Sequence, residues 1–79
     1  MGRYYFDLID SDGLAVDEEG LELQDLQEAG EEAALSLADA ARDGLRRSDG
    51  SLNRLSVEVR TDAGPFMRVS FSFSPDRRN

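Results

Sequence analysis

The sequence predicts a small α+β domain, in which an antiparallel sheet of three to four strands carries one long helix on one face. Apolar and polar residues alternate at three places, and small or apolar residues recur at helical spacing between them. The resulting order, β-(β)-α-β-β, suits one sheet covered by one helix. Because the chain has 79 residues, we expect a single domain over residues 1–79 with one thin core.

The first strand is predicted over residues 3–10, where Tyr4, Phe6 and Leu8 alternate with more polar neighbours. This apolar set is assigned to the core. Ser11-Asp12-Gly13 has turn chemistry, because Asp can bond its own backbone and Gly accepts positive φ. The pattern allows a short returning strand over residues 14–16. After an acidic turn, Leu21 and Leu23 are placed beneath the helix.

The helix is predicted over residues 26–47, with Asp25 as N-cap and Glu28 completing a pair of the capping-box type. Leu35 lies opposite the predicted core stripe. Small residues on that stripe let the helix lie close to a sheet, and we expect this packing to compensate for two helical glycines, about 1 kcal/mol each. The stripe consists of Leu26, Gly30, Ala33, Leu37, Ala40, Ala41 and Gly44.

Two further strands are predicted over residues 54–61 and 66–73, joined by a hairpin connection, with a loop at residues 48–51 and a loose tail over 75–79. Their alternation gives the core Leu55, Val57, Val59, Met67, Val69, Phe71 and Phe73. The other side of the sheet has no second helix to cover it. We expect this open face to show Tyr5, Asp7, Ile9, Ser56, Glu58, Arg60, Phe66, Arg68 and Ser70.

The net charge of −8 is unevenly distributed along the chain. Residues 1–41 contain twelve acids and one base, and residues 42–79 contain five acids and eight bases. Two interpretations stay open: a solvated acidic face, or an acidic surface that meets a basic one on a partner or second copy. Since there is no cysteine, no apolar run of about 20 residues and no signal segment, we expect a bacterial cytoplasmic protein that does not enter a membrane.

The acidic turns raise the question of a calcium loop. With Gly13 at the sixth position of an EF-hand loop, Leu8 occupies the first position and cannot ligate. The strand-ending turn is therefore the preferred interpretation, and we expect neither a metal nor a cofactor. The chain has no His, Cys or Lys, so the usual bases and nucleophiles are missing. No catalytic residue is assigned and an enzyme is not expected, although a metal-dependent enzyme using residues 10–19 is kept as a further alternative.

The residues expected to make a protein contact are Tyr5, Ile9, Leu35, Phe66 and Arg68. Aromatic and Arg side chains on an open sheet are also typical of nucleic-acid platforms. The acidic total argues against a nucleic-acid partner, because it opposes the approach of phosphates.

Residues 3–29 resemble the opening of a family of short, mainly alphaproteobacterial proteins. Its members begin with an Arg-Tyr-Phe-Phe-His strand and reach a helix through Asp-x-x-Gly-x-Glu-Leu-x-Asp-Leu. The matching residues are Arg3, Tyr4, Phe6, Gly13, Asp17, Gly20, Glu22, Leu23, Asp25, Leu26 and Ala29. The family is a domain of unknown function, so the resemblance implies a fold and no reaction. Asp7 stands where members often have His.

We therefore expect a non-catalytic module that binds a protein partner or itself, in the latter case as a homodimer. The alternative is an acidic regulator that neutralises a basic partner protein, as antitoxins do.

Overall fold

The computed structural model describes residues 2–11, 13–47 and 54–74, and it has one helix on one side of a five-stranded antiparallel sheet. The α+β class is confirmed, with one strand more than predicted. The predictions about Asp12, the loop at 48–51 and the tail at 75–79 lie outside the described residues. The elements are β1 (Gly2–Asp10), β2 (Gly13–Ala15), β3 (Leu21–Leu23), α1 (Leu26–Arg47), β4 (Arg54–Thr61) and β5 (Gly64–Ser72).

The sheet has the order β2-β1-β4-β5, and β3 also pairs with β1. The additional strand is β3, because Leu21–Leu23 pairs with the start of β1 while β2 pairs with its end. The helix lies over β4, β5 and β3. Consequently β2, at one margin of the sheet, is exposed along its whole length.

The core lies between the helix and the sheet, and it is centred on buried Tyr4, Ala29, Ala33, Val57 and Val59. Phe6, Leu8 and Leu37 pack against this cluster, as the alternation and the helical stripe predict. Leu35, opposite the stripe, is 63% exposed.

Two details of the helical stripe are wrong. Leu26 is 56% exposed, because no helical turn precedes the first residue of α1 to cover it. Ala29, which the stripe omitted, is fully buried. The buried face of the helix therefore includes Ala29 as well as the predicted Ala33 and Ala41.

The helix begins with the predicted cap. The Asp25 carboxylate accepts a hydrogen bond from the Glu28 amide at 2.9 Å, and the Glu28 carboxylate accepts one from the Gln24 amide at 2.8 Å. Two amide groups that have no partner inside the helix are thereby satisfied. The second bond goes to the residue before the cap, where the usual capping box would use the cap itself.

Strand β5 contains one extra residue near its start. Val59 pairs with Met67 and Arg60 pairs with Pro65, so Phe66 lies at the register shift without a partner. The Phe66 ring meets the ring of the core residue Tyr4 edge-on, at 6.1 Å between centroids. The prediction that Phe66 lies on the open face is therefore wrong, because the extra residue breaks the alternation from which it was derived.

The predicted role of Gly30 as a close-packing position is also not supported. A Cβ atom added to Gly30 would lie 3.6 Å from the Met67 Cε, which is an ordinary contact. The site therefore has room for a methyl group. By contrast, Gly20 has a φ of 72°, and a Cβ there would lie 2.9 Å from the Tyr4 carbonyl oxygen.

We expect Gly30→Ala to raise the free energy of unfolding by about 0.5–1 kcal/mol, because Ala loses less backbone entropy on helix formation. Gly20→Ala is expected to lower the free energy of unfolding by at least about 1 kcal/mol, because Gly20 has a positive φ and no room for a Cβ atom. Urea unfolding of both variants and the wild type measures the two changes. Destabilisation by Gly30→Ala would show that close packing holds this glycine after all.

Candidate binding surface on the open sheet face

The open face, the side of the sheet opposite the helix, is formed by alternate residues of β1, β4 and β5. The strand registers place Tyr5, Asp7 and Ile9 of β1 beside Arg60, Glu58 and Ser56 of β4. On the other side of β4, Glu58 lies beside Arg68 and Ser56 beside Ser70 of β5. These positions agree with the predicted open face, with Phe66 excepted.

The chain returning along β1 is interrupted in its middle. The pairs Leu8–Ala15 and Tyr4–Leu21 show that three residues of β1, 5–7, run alongside five residues of the returning chain, 16–20. The returning chain is thus two residues longer. Because side chains alternate with a period of two, an insertion of two residues keeps Leu21 on the same face as Tyr4. The acidic turn can therefore bulge outwards while the side chains of β3 stay on the same faces of the sheet.

The carboxylate of Asp17 holds this bulge in place. Its Oδ2 accepts a hydrogen bond from the Phe6 amide at 3.1 Å, and its Oδ1 accepts bonds from the amides of Glu19 and Gly20 at 3.2 and 3.1 Å. Burial alone would raise the pKa of Asp17, but these three bonds and the charge of Arg60 outweigh it and leave that pKa below 3.8. A side chain thus replaces the missing backbone partner of β1.

Asp7 connects the bulge to the sheet. Asp7 is only 7% exposed, and among the residues that the structure describes no other Asp or Glu is buried. Its Oδ1 accepts a hydrogen bond from the Asp17 amide at 2.9 Å, and its Oδ2 accepts one from Arg60 Nε at 2.7 Å. Both oxygens are therefore satisfied, as a buried charge requires.

Arg60 completes the cluster. Its Nη2 donates to the Asp17 carbonyl oxygen at 2.9 Å, and its guanidinium carbon lies 4.5 Å from the centre of the Tyr5 ring. The hydrogen bond to Asp7 raises the pKa of Arg60. We call Tyr5, Asp7, Asp17 and Arg60 the Asp7–Arg60 cluster. One face of Tyr5 is covered within it and is not available for stacking on a partner.

Next to this cluster, at the C-terminal end of β1, the open face contains a concavity of about 710 Å³. We call it the serine–arginine concavity, and its lining residues are Ile9, Asp10, Ser11, Arg54, Ser56, Arg68, Ser72, Phe73 and Ser74. Ile9 and Arg68 are predicted contact residues, and the structure brings them together here.

The other predicted contact residues lie elsewhere. Tyr5 belongs to the Asp7–Arg60 cluster, Phe66 lies on the helix side, and Leu35 is on the outer surface of α1. Sequence reasoning did not identify Arg54 as a neighbour of Ile9, because that proximity depends on strand register. The prediction that Phe73 lies in the core is wrong: β5 ends at Ser72, and Phe73 is 41% exposed and lines the concavity. For the Asp7–Arg60 cluster a signal was present: an acid inside an apolar strand and an arginine inside another.

The turn after β1 uses the Asp10 carboxylate locally, since Asp10 Oδ1 accepts a hydrogen bond from the Gly13 amide at 3.1 Å. This is the behaviour of an Asx turn. Within residues 2–11, 13–47 and 54–74, no three His, Cys, Asp or Glu side chains are grouped so that they could hold a metal ion. In the same residues, no helix has the length and apolar character needed to span a bilayer.

These features define a small α+β domain with one helix on a five-stranded sheet and a polar open face. The chain belongs to the family described as domain of unknown function DUF6894, which matches residues 3–72. Neither the curated proteins nor the solved structures include a match to this chain.

We expect Asp7→Ala to lower the free energy of unfolding by about 1–3 kcal/mol, because the amide of Asp17 and the Nε–H of Arg60 both lose their acceptor. Asp7→Asn keeps one acceptor oxygen and should lose less. Chemical unfolding gives both values. Asp39→Ala, at an exposed helical acid, is the matched control and should change stability by no more than about 0.5 kcal/mol. An equal loss in Asp7→Ala and Asp39→Ala would contradict a structural role for Asp7.

The lowered pKa of Asp17 predicts a dependence of stability on pH. A carboxyl whose pKa is lower in the folded state contributes its full stability above its unfolded value of 3.8, and this contribution is lost as the pH falls through the folded value. Asp17→Asn should be less stable than the wild type at about pH 7, and the difference should shrink towards about pH 3. Unfolding curves at four pH values measure it; a constant difference would refute the prediction.

Proposed function

We propose that this protein is a non-catalytic module that contacts other protein chains through the free edge of β5 and the adjoining open face. A second copy of the chain is the first partner to test. The main supporting observation is that β5 is a nine-residue strand at the margin of the described sheet, paired with β4 alone.

The composition of β5 favours pairing. Gly64–Ser72 contains no acid, and Arg68 is its single charged residue. Proline and bulges are features by which proteins protect strand edges, and here both occur at the start, at Pro65 and Phe66. The six residues from Met67 to Ser72 follow a regular register, which gives about 20 Å of available edge.

A two-fold axis beside β5 would pair this strand with its copy in antiparallel orientation and continue the sheet across both subunits. The helices of the two copies would then lie on one side and the two open faces on the other. Such a contact requires no rearrangement of the core. A partner with an extended segment of its own could add to the same edge.

The chemistry of the open face supports a module without catalysis. Both oxygens of Asp7 already accept hydrogen bonds, from Asp17 and Arg60. A general base needs a carboxylate oxygen that is free to take a proton from a substrate. The serines of the concavity have no His or Lys to activate them, because the chain contains neither.

A second candidate, the acidic regulator of a basic protein, is supported by the outer surface of α1. Leu35 is 63% exposed there, and the acids Glu31, Asp39 and Asp43 are exposed on the same helix. An apolar side chain surrounded by negative charge suits a basic partner with a small apolar pocket. Binding through this surface would weaken steeply as salt is added.

Sedimentation analysis from about 10 to about 200 µM tests self-association, and we expect the dimer fraction to rise across this range, as for a small contact. Ser70→Glu should reduce it, because Ser70 lies in the middle of the regular stretch of β5, where a two-fold contact brings the new carboxylates of both copies near each other. Leu35→Glu, which adds the same charge on the outer helix surface, should leave it unchanged.

Monomer at every concentration would exclude the self-associating form of the proposal. Loss of the dimer in Leu35→Glu with retention in Ser70→Glu would move the contact to the helix.

A further inference from the structure

We propose that the serine–arginine concavity is a binding site for a single carboxylate carried on an apolar group. The carboxylate could belong to a free organic acid or to the C-terminus of a peptide that ends in an apolar residue. This inference goes beyond the proposed contact through β5, because pairing of two strand edges requires no ligand.

The site is rich in hydrogen-bond donors. Arg54 and Arg68 each carry five N–H donors and no acceptor, and four serines line the same space. These groups suit an oxyanion, and a planar carboxylate matches the fork of a guanidinium. The four serines are Ser11, Ser56, Ser72 and Ser74.

The two arginines differ in how far their charge is neutralised. Arg68 Nη2 lies 3.2 Å from Glu58 Oε2, so this guanidinium already has an anionic partner. Arg54 is exposed and forms no ion pair with any residue in the described part of the chain. Arg54 is therefore the guanidinium of the concavity without an ion-pair partner in the described residues, and it lies on the same side of β4 as Ser56. Two arginines and one acid, Asp10, line the concavity.

Ser56 offers a donor that is already held in position. Ser56 is only 5% exposed, and its Oγ lies 3.1 Å from the Oγ of Ser70. A hydrogen bond between two hydroxyls uses one of their two protons. If Ser70 donates, the Ser56 proton is free to bond a ligand in the concavity.

The remaining lining residues indicate the rest of the ligand. Ile9 and Phe73, the latter 41% exposed, supply apolar surface within the concavity. Asp10 also lines it, which opposes a second negative charge on the ligand. The net charge of −8 opposes anions in general, and it opposes a doubly charged phosphate more than a singly charged carboxylate. A volume of about 710 Å³ lies within the usual range for small-molecule sites, roughly 300–1,000 Å³.

The test is an NMR titration of the amide signals of the full chain with phenylbutyrate, and with phenylbutanol as its uncharged counterpart. We expect saturable shifts at Ile9, Ser56 and Ser72 with phenylbutyrate, with a dissociation constant of about 1 mM, and much weaker binding of the alcohol. Arg54→Gln should weaken phenylbutyrate binding by about tenfold. Arg42→Gln, which removes the same charge from the exposed helix surface, should leave it unchanged.

The proposal is overturned if phenylbutyrate gives no saturable shifts, if the alcohol binds equally well, or if Arg54→Gln and Arg42→Gln behave alike. The spectrum of each variant also shows whether it is folded. A tripeptide ending in phenylalanine, as free acid and as amide, distinguishes the two sources. Tighter binding of the peptide acid than of phenylbutyrate supports a peptide terminus, and weaker binding supports a free organic acid. Because Arg54 is outside β5, failure here leaves the edge contact untouched.

Discussion

The structure depends on a single buried carboxylate, that of Asp7, which joins three separate parts of the chain. It lies on β1, accepts the amide of Asp17 in the returning bulge, and binds Arg60 on β4. A charge at this depth is tolerated only because both of its oxygens have donors. The bulge at residues 16–20 and the Asp7–Arg60 cluster are therefore linked by hydrogen bonds, and together they fix the part of the open face around Tyr5.

The two sides of the sheet are built on different principles. On the helix side, small alanines of α1 pack against Val57 and Val59, and the surrounding larger side chains complete a thin core. On the open side, hydrogen bonds and ion pairs hold the surface. Asp7 and Ser56 are buried there, whereas exposed residues such as Arg68 and Ser70 can meet solvent or a partner. A stable domain thus needs only one covered face, which leaves the other face and the β5 edge for contacts.

Local patterns in the sequence were sufficient for much of the fold. The helix, its cap at Asp25 and the inward set of Tyr4, Phe6 and Leu8 follow from periodicity and capping chemistry, which involve residues close together in the chain. Strand β3 was missed because Leu21 and Leu23 were placed beneath the helix, and the pairing of this segment with the start of β1 joins residues about 20 positions apart. Phe66 was misplaced because a single extra residue changes which face a side chain occupies.

The candidate site was less predictable than the fold. Ile9 and Arg68 were expected on the open face, but Arg54 reaches the same concavity only through the register of β4 and β5. Phe73 was expected in the core and reaches the concavity because β5 ends one residue before it. Asp7 and Arg60 are 53 positions apart, and although each stands out as a charge inside an apolar strand, only the register of β1 and β4 shows that they pair. Asp17 looked like one acid in an acidic turn. Its role as the hydrogen-bond acceptor of the Phe6 amide is seen only in the three-dimensional structure.

The most direct test of this account is amide hydrogen exchange in the wild type and in Asp17→Ala. The amides of Phe6 and Gly20 donate to the Asp17 carboxylate, so we predict slow exchange at both in the wild type. In Asp17→Ala they should become fast while Val57 and Val59 in the core stay protected. Fast exchange of Phe6 and Gly20 in the wild type would contradict the claim that a carboxylate holds the bulge against the sheet.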